Sequence, residues 1–239
     1  MQRIWTGRHD SKKVFAHKQD MLQKNGLNTD GLIFDLDGTL WDAAPACTAA
    51  WNETMREMGE EDHFVDSDKV RSFSGLPIET IFSRYFEFIP KESYREVSNR
   101  YKASEMISVK KMGGILYPGV KVELNTLKEK YRLFIVSNCL HGYLDNFISF
   151  HGLQSIFSDF EYFENTRLPK SENIRLIVER NKLKHPIYVG DTEWDHDAAT
   201  QIGIPFIYAA YGFGKADTAE WRIGEFSELR RLVSPMNIT

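Results

Sequence analysis

The sequence predicts an α/β protein with a doubly wound parallel sheet and a separate helical part. Short apolar stretches of strand length alternate with helical patterns from about residue 115 onwards. Two apolar stretches, one of them near the start of the chain, end in acidic residues, and strand signals are missing between residues 45 and 114. We therefore expect an α/β core formed by residues 29–44 and 115–239, and a helical insert formed by residues 45–114.

The first core strand is predicted at residues 31–34, directly before Asp35 and Asp37. Ligands of doubly wound sheets bind outside the carboxyl ends of the strands, so these two carboxylates are expected where a substrate reaches them. Two carboxylates this close repel each other and are costly to desolvate without a cation or a proton between them. The pair therefore indicates either a bound metal or one protonated carboxyl group.

The remaining elements follow in chain order. In the helical insert, apolar residues recur at helical spacing in segments punctuated by Gly75, Pro90 and Gly113. After the insert, helices and strands alternate as they do in βαβ units. The predicted helices are 46–58, 77–86, 91–107, 120–130, 143–150, 173–180 and 195–202, and the predicted later strands are 132–137, 160–163, 187–190 and 205–209.

A second acidic group follows the strand predicted at 187–190. Asp191 comes directly after this strand, and Asp195 lies four residues further on. If the strand lies beside the first one, Asp191 joins Asp35 in the oxygen-rich type of site that Mg²⁺ prefers. Asp195 starts the next helix, where it either caps free N–H groups, orients Asp191 or reaches a metal-bound water.

A third strand, 132–137, ends in Ser137 and Asn138, and Lys170 follows later in the chain. In phosphoryl transfer the negative charge on the equatorial oxygens must be neutralised, and a hydroxyl group, neighbouring backbone N–H groups and a lysine serve that purpose. Ser137, Asn138 and Lys170 are therefore the predicted phosphate-binding residues.

Composition argues against several other classes of protein. The 239 residues carry a formal net charge of -4, so nucleic acid is not an expected partner, and no apolar run is long enough to span a membrane. The two cysteines do not form a disulfide framework in a chain of this size, and the N-terminal sequence has no secretory pattern, which favours the cytoplasm. Residues 1–28 are polar and basic, and we expect a solvated extension or, alternatively, a partner-binding arm.

The order of these motifs resembles the haloacid dehalogenase superfamily of phosphohydrolases. The motifs are Asp-x-Asp-Gly-Thr-Leu from Asp35, a strand that ends in Ser137, Lys170, and Gly-Asp-Thr-x-x-Asp from Gly190, and the resemblance covers about residues 31–210. The helical insert resembles the helical cap of the phosphoglycolate phosphatase and β-phosphoglucomutase branch. Such caps exclude water and select the substrate.

The resemblance implies a role for each matching residue. Asp35 is the expected nucleophile, which forms an aspartyl phosphate. Asp37 is the expected general acid and base, which protonates the leaving alkoxide and then deprotonates the attacking water. Mg²⁺ is the expected cofactor, bound by the carboxylates of Asp35 and Asp191 and by the backbone carbonyl of Asp37, with Asp195 in a supporting position.

The sequence thus predicts a Mg²⁺-dependent phosphomonoester phosphatase, monomeric or homodimeric, that acts on a small phosphorylated metabolite, with phosphoglycolate as a candidate. A β-phosphoglucomutase-like phosphomutase and a non-catalytic binding protein of the same fold are the alternatives. In the helical insert, Arg71 and Arg84 either bind a second anionic group of the substrate or lie on a solvated face.

Overall fold

The computed structural model describes residues 26–236, and it contains the predicted α/β architecture. Ten strands and ten α-helices lie within these residues. The strands are β1 (Leu27–Thr29), β2 (Gly31–Phe34), β3 (Trp41–Asp42), β4 (Ile115–Leu116), β5 (Arg132–Ser137), β6 (Asp159–Tyr162), β7 (Pro186–Gly190), β8 (Phe206–Ala209), β9 (Trp221–Ile223) and β10 (Val233–Pro235). The helices are α1 (Ala44–Met58), α2 (Ser67–Phe73), α3 (Ile78–Tyr85), α4 (Tyr94–Met112), α5 (Val120–Leu127), α6 (Tyr143–His151), α7 (Phe163–Thr166), α8 (Lys170–Arg180), α9 (Glu193–Gln201) and α10 (Leu229–Leu232).

Six parallel strands form the central sheet in the order β6-β5-β2-β7-β8-β9. β2 lies between β5 and β7, and Ile33 pairs with Phe134 on one side and with Tyr188 on the other. The strand order turns outward in both directions from β2, which makes its carboxyl end a switch point where ligands of such sheets bind. The two Asp-bearing strands are neighbours, which is the condition on which the predicted joint site of Asp35 and Asp191 depends.

Burial of both faces explains why the central strands read as continuous apolar runs. All four residues of β2 are buried, and so are all five residues of β7. Leu32 and Phe34 pack into one hydrophobic cluster, whereas Ile33 packs into the cluster on the opposite face. This alternation is the two-residue period of a strand whose two faces are both covered by helices.

The helical insert holds α1 to α4 and is entered and left through β3 and β4, which pair with each other antiparallel. Trp51 of α1 is its central side chain and stacks on Tyr101, with ring centroids 3.9 Å apart, and on Phe86, at 4.6 Å. These buried rings explain the aromatic residues of this segment as packing between helices.

Two features of the insert differ from the predicted elements. Helix α2 was not predicted. Its start is marked by Asp66, whose side chain accepts a hydrogen bond of 2.7 Å from the N–H of Lys69. Helix α4 continues to Met112 rather than ending near residue 107. Its stop signal is Gly113, whose φ of 64° suits glycine.

Among the polar contacts that join the insert to the core in the described residues, three involve charged or amide side chains. Arg71 pairs with Asp42 at 2.7 Å, and Lys102 pairs with Glu164 at 2.5 Å. The third contact runs from the side-chain amide of Asn138 to the carbonyl of Gly75, at 3.1 Å.

The two ends of the described chain lie together, because β1 and β10 pair in parallel. Residues 1–25 of the predicted extension lie outside the described residues, and the chain is already in a strand at Leu27, two residues before the predicted core boundary. Among residues 26–236, no helix combines the length and the apolar character that crossing a membrane requires.

Candidate active site

Asp35 and Asp191 stand at the carboxyl ends of the adjacent strands β2 and β7. The N–H of Asp35 donates to the carbonyl of Val189 at 2.9 Å, which continues the β-ladder to the point where both acids leave the sheet. Together with Asp195 they form a buried cluster in which one carboxylate oxygen from each residue lies within 4.8 Å of the others. The topology therefore brings together three acids that the sequence separates by up to 160 positions.

Lys170, the first residue of α8, supplies the cation of this cluster. Its Nζ donates to Asp35 Oδ1 at 2.9 Å and to Asp195 Oδ1 at 2.6 Å, and all three side chains are buried. The lysine therefore offsets part of the repulsion that the carboxylates exert on one another. The prediction began this helix at residue 173 and overlooked Pro169, a residue type that favours a helix start.

Asp191 is fixed by the chain that follows β8. Its Oδ2 accepts hydrogen bonds from the N–H groups of Phe213, at 2.8 Å, and Gly214, at 3.2 Å. A side chain at Gly38 would overlap Asp191 Oδ2, and one at Gly212 would overlap Asp191 Cβ. Gly38 also has a φ of 82°, so both the turn after β2 and the close approach to Asp191 require glycine there.

Of the three roles left open for Asp195, the structure shows capping of the helix N-terminus. Its Oδ2 accepts from the N–H and the hydroxyl of Thr192, at 3.0 and 2.7 Å, and its own N–H donates to the Thr192 hydroxyl, which completes a capping box. Its other oxygen holds Lys170. Asp195 thus orients the lysine that contacts Asp35, a link the sequence did not reveal.

Asp37 has a different environment from Asp35. Its Oδ1 accepts a hydrogen bond of 2.7 Å from the hydroxyl of Tyr143 on α6. Burial raises the pKa of Asp37 to about 8, opposed by the Tyr143 hydrogen bond and supported by the nearby charges of Asp35 and Glu105. Burial also raises the pKa of Asp35, but Lys170 opposes this increase, and the pKa reaches about 6.

Sequence reasoning missed a cluster of four polar side chains behind Asp37. Its members are Tyr143, Cys47, Glu105 and Tyr101. Cys47 Sγ lies 3.7 Å from the Tyr143 hydroxyl and 3.8 Å from Glu105 Oε1, which also accepts from the Tyr101 hydroxyl at 2.6 Å. Each residue occupies an ordinary buried position of its helix, so no local sequence signal marks them. Glu105 alone gave a hint, since a carboxylate on the apolar face of a helix is unusual.

A cavity of about 900 Å³ lies between the insert and the core and reaches these residues. The predicted phosphate-binding residues Ser137, Asn138 and Lys170 line it beside Asp35 and Asp37. Neither Arg71 nor Arg84 lines it. Arg71 is instead paired with Asp42 and Asp68, and the insert presents Arg95 and Lys102 to the cavity.

A family model of haloacid dehalogenase-like hydrolases matches residues 32–209, which is most of the chain. The chain belongs to this family. It is similar to a phosphoglycolate phosphatase of Rhodobacter capsulatus, with 28% identity over 203 residues that cover 77% of this chain and 85% of that protein. It is also similar to a 5'-nucleotidase of Pseudomonas aeruginosa, with 23% identity over 201 residues that cover 80% of this chain and 87% of that protein.

A solved structure of a predicted phosphatase from Clostridium acetobutylicum has the same fold, with a TM-score of 0.73 at 23% identity, covering 85% of this chain and 97% of that one. The predicted family, its phosphoglycolate phosphatase-like branch and the enzyme class, a hydrolase acting on phosphoric monoesters, are confirmed.

The acidic cluster of this haloacid dehalogenase-like hydrolase fits a divalent cation. Burial raises the pKa of Asp191 well above its ordinary value, and the negative charges of Asp195 and Asp35 raise it further. A bound cation relieves this cost, and carboxylate oxygens are the donors that hard divalent ions prefer. The carboxylate of Asp37 is directed to Tyr143, and its predicted contact with the metal uses the backbone carbonyl.

Proposed function

We propose that this protein is a Mg²⁺-dependent phosphomonoester phosphatase that acts on a small phosphorylated metabolite through an aspartyl-phosphate intermediate. One observation carries the proposal. Asp35 contacts the ammonium group of Lys170 in a buried acidic cluster, whereas Asp37, two residues away, is bonded to the neutral hydroxyl of Tyr143. Two carboxyl groups held in such different environments are suited to opposite roles, one as a nucleophile and one as an acid.

Asp35 acts as the nucleophile in this proposal. With a pKa of about 6 it is ionised at neutral pH, so its carboxylate is available to attack phosphorus. Lys170 holds this carboxylate in place and adds positive charge where the phosphoryl oxygens gather negative charge. Ser137 and Asn138, at the end of β5, complete the binding site for these oxygens.

Asp37 acts as the general acid. Its pKa of about 8 keeps it protonated at neutral pH, so it delivers a proton to the leaving alkoxide as the bond to phosphorus breaks. The resulting carboxylate then takes a proton from the water that hydrolyses the aspartyl phosphate.

The carboxylates of Asp35 and Asp191 and the backbone carbonyl of Asp37 would hold Mg²⁺. When bound, the ion neutralises negative charge on the phosphoryl oxygens and on the acidic cluster. The backbone N–H groups that fix Asp191 keep its carboxylate oriented for this task. Asp195 supports the site through Lys170 and the start of α9.

The helical insert selects the substrate, because it forms one wall of the cavity that holds Asp35 and Asp37. Phosphoglycolate is the first candidate, since several similar proteins are phosphoglycolate phosphatases. Nucleoside monophosphates come next because of the similarity to a 5'-nucleotidase.

Assays of the purified protein against phosphoglycolate, sugar phosphates and nucleoside monophosphates test this function. Free phosphate and sugar-phosphate isomers are both measured, with Mg²⁺ and with a chelator. We expect phosphate release from at least one metabolite, dependent on Mg²⁺ and lost in Asp35→Asn. Activity that persists in chelator, or isomerisation without phosphate release, would contradict the proposal.

A further inference from the structure

The hydroxyl of Tyr143 contacts Asp37, the proposed general acid, from a fixed position. Tyr143 is 2% exposed, and its ring packs edge-on against Trp41, with centroids 5.6 Å apart. Its hydroxyl donates to Asp37 Oδ1 at 2.7 Å. Because packing fixes the ring, this hydrogen bond restrains the orientation of the Asp37 carboxyl group.

The other side of the Tyr143 hydroxyl is held by residues of the helical insert. Tyr143 has one hydroxyl proton and gives it to Asp37, and its oxygen also lies 3.7 Å from Cys47 Sγ, whose thiol donates to Glu105 Oε1 at 3.8 Å. Burial raises the pKa of the Cys47 thiol well above its ordinary value, which keeps the proton on sulfur. Tyr143 on α6 thus donates to Asp37, while Cys47 on α1 contacts the Tyr143 hydroxyl and donates to Glu105.

Glu105 of α4 lies behind this thiol. Its Oε1 is 3.8 Å from Cys47 Sγ and accepts from Tyr101, whereas its buried Oε2 has no hydrogen-bond partner among the described residues. A buried carboxyl oxygen without a partner is costly, and such a group in a native protein calls for an explanation. The insert therefore contributes a polar support to the residue that contacts Asp37.

We propose that Tyr143 is a positioning residue for the general acid, with Cys47 and Glu105 supporting it from the helical insert; this rests on the phosphatase function proposed above. Since the Tyr143 hydroxyl occupies Oδ1, the proton that Asp37 transfers is carried on Oδ2. In the transfer, the O–H bond at Oδ2 breaks, the leaving oxygen keeps the electron pair of its former bond to phosphorus, and a new O–H bond forms on that oxygen. Tyr143 then donates to a carboxylate, and this charge-assisted hydrogen bond stabilises the ionised product.

The proposal makes the contribution of Tyr143 depend on the leaving group. A weakly acidic alcohol or phenol needs the proton from Asp37, whereas a strongly acidic phenol departs without much help. Loss of the hydroxyl should therefore slow poor leaving groups selectively. Since the hydroxyl does not bind the substrate, the dissociation constant of the substrate should change little.

Tyr143→Phe removes the hydroxyl and keeps the ring. We measure kcat/KM with phenyl phosphate and with para-nitrophenyl phosphate. For each substrate, kcat/KM reports the steps up to departure of the leaving group. We expect a loss of about tenfold with phenyl phosphate and of less than about twofold with para-nitrophenyl phosphate. Tyr162→Phe is the matched control, because it removes a hydroxyl that is hydrogen-bonded to His141 and lies outside the cavity, and it should affect both substrates equally.

Equal losses for the two substrates in Tyr143→Phe, or no loss for either, would overturn the proposal. If Tyr143→Phe does not fold, as judged by circular dichroism, Tyr143→Met also lacks the hydroxyl and is held to the same outcomes. A wild-type protein that hydrolyses neither substrate nor any metabolite would instead refute the phosphatase function itself.

Discussion

The two sides of the cavity floor differ in how they stabilise a buried carboxyl group. On the side of Asp35, four charged side chains lie together, and Lys170 bridges two of the three acids. On the side of Asp37, the hydrogen-bonded neighbours are a hydroxyl and, behind it, a thiol and a carboxyl group. Burial raises the pKa on both sides, but only the first side has a cation to oppose it, so pKa values of about 6 and about 8 result. Position in the fold, rather than residue type, separates the two aspartates.

Asp35→Asn tests the charged side and should have the largest effect. An amide is not a nucleophile for phosphorus, so phosphate release should fall by at least about 10³-fold. Purified variants are compared by phosphate release with Mg²⁺ present. Asp159→Asn is the control, since Asp159 is also ion-paired, to Arg180, but lies outside the cavity. Near-normal turnover by Asp35→Asn would show that Asp35 is not the nucleophile.

Asp37→Asn tests the other side, and its effect should depend on the substrate. Loss of the acid should slow poor leaving groups by about 10² to 10⁴-fold, and good leaving groups by less during formation of the intermediate. Single-turnover rates with phenyl and para-nitrophenyl phosphate separate the two cases. Equal losses would mean that Asp37 does not protonate the leaving group.

Lys170→Met removes the cation that distinguishes the two sides. Because it leaves buried carboxylates without a partner, the free energy of unfolding should fall by about 3 kcal/mol at pH 8 in chelator. The loss should shrink on acidification as Asp35 becomes protonated. Urea denaturation measures this change, and Arg175→Met is the control on the same helix. Arg175 forms an exposed ion pair with Glu172, so Arg175→Met should lower the free energy of unfolding by less than about 0.5 kcal/mol. Similar decreases for both variants would contradict the account.

The pH dependence of thermal unfolding tests the Asp35 side and the Asp37 side together, and the expected change in stability is smaller than the effects above. Asp35, Asp37 and Glu105 have pKa values raised to about 6, 8 and 7, so between pH 5 and pH 8 the folded state binds more protons than the unfolded state. Stability in chelator should therefore fall as the pH rises through this range.

Mg²⁺ should reverse this fall. Because the ion binds ionised carboxylates, added Mg²⁺ should raise Tm more at pH 8 than at pH 5. Asp191→Asn should lose most of this increase. An equal Mg²⁺ effect at both pH values would argue against a site made of these acids.

The sequence was sufficient to predict the central strands and the charged side of the site. Asp35 and Asp191 lie directly after apolar strands, and the sheet brings such positions together. Tyr143, Cys47 and Glu105 could not be predicted in this way, because they come from three helices whose contacts depend on how the insert packs against the core. Asp195 was recognised, but its link to Lys170 depends on the relative placement of α8 and α9. The sequence also did not predict some short elements, because their periodic signals are weak. These are helix α2, strand β9 and the paired strands β1 and β10.

The central claim is that Asp35 carries the phosphoryl group during turnover. Asp37→Asn should retard hydrolysis of the intermediate, so the variant is mixed with Mg²⁺ and para-nitrophenyl phosphate, quenched in acid and digested for mass spectrometry. We expect a phosphoryl group on the peptide that contains Asp35, and none in Asp35→Asn treated in the same way. A single turnover that releases para-nitrophenol with no phosphorylated peptide, or with the phosphoryl group on another residue, would contradict the account.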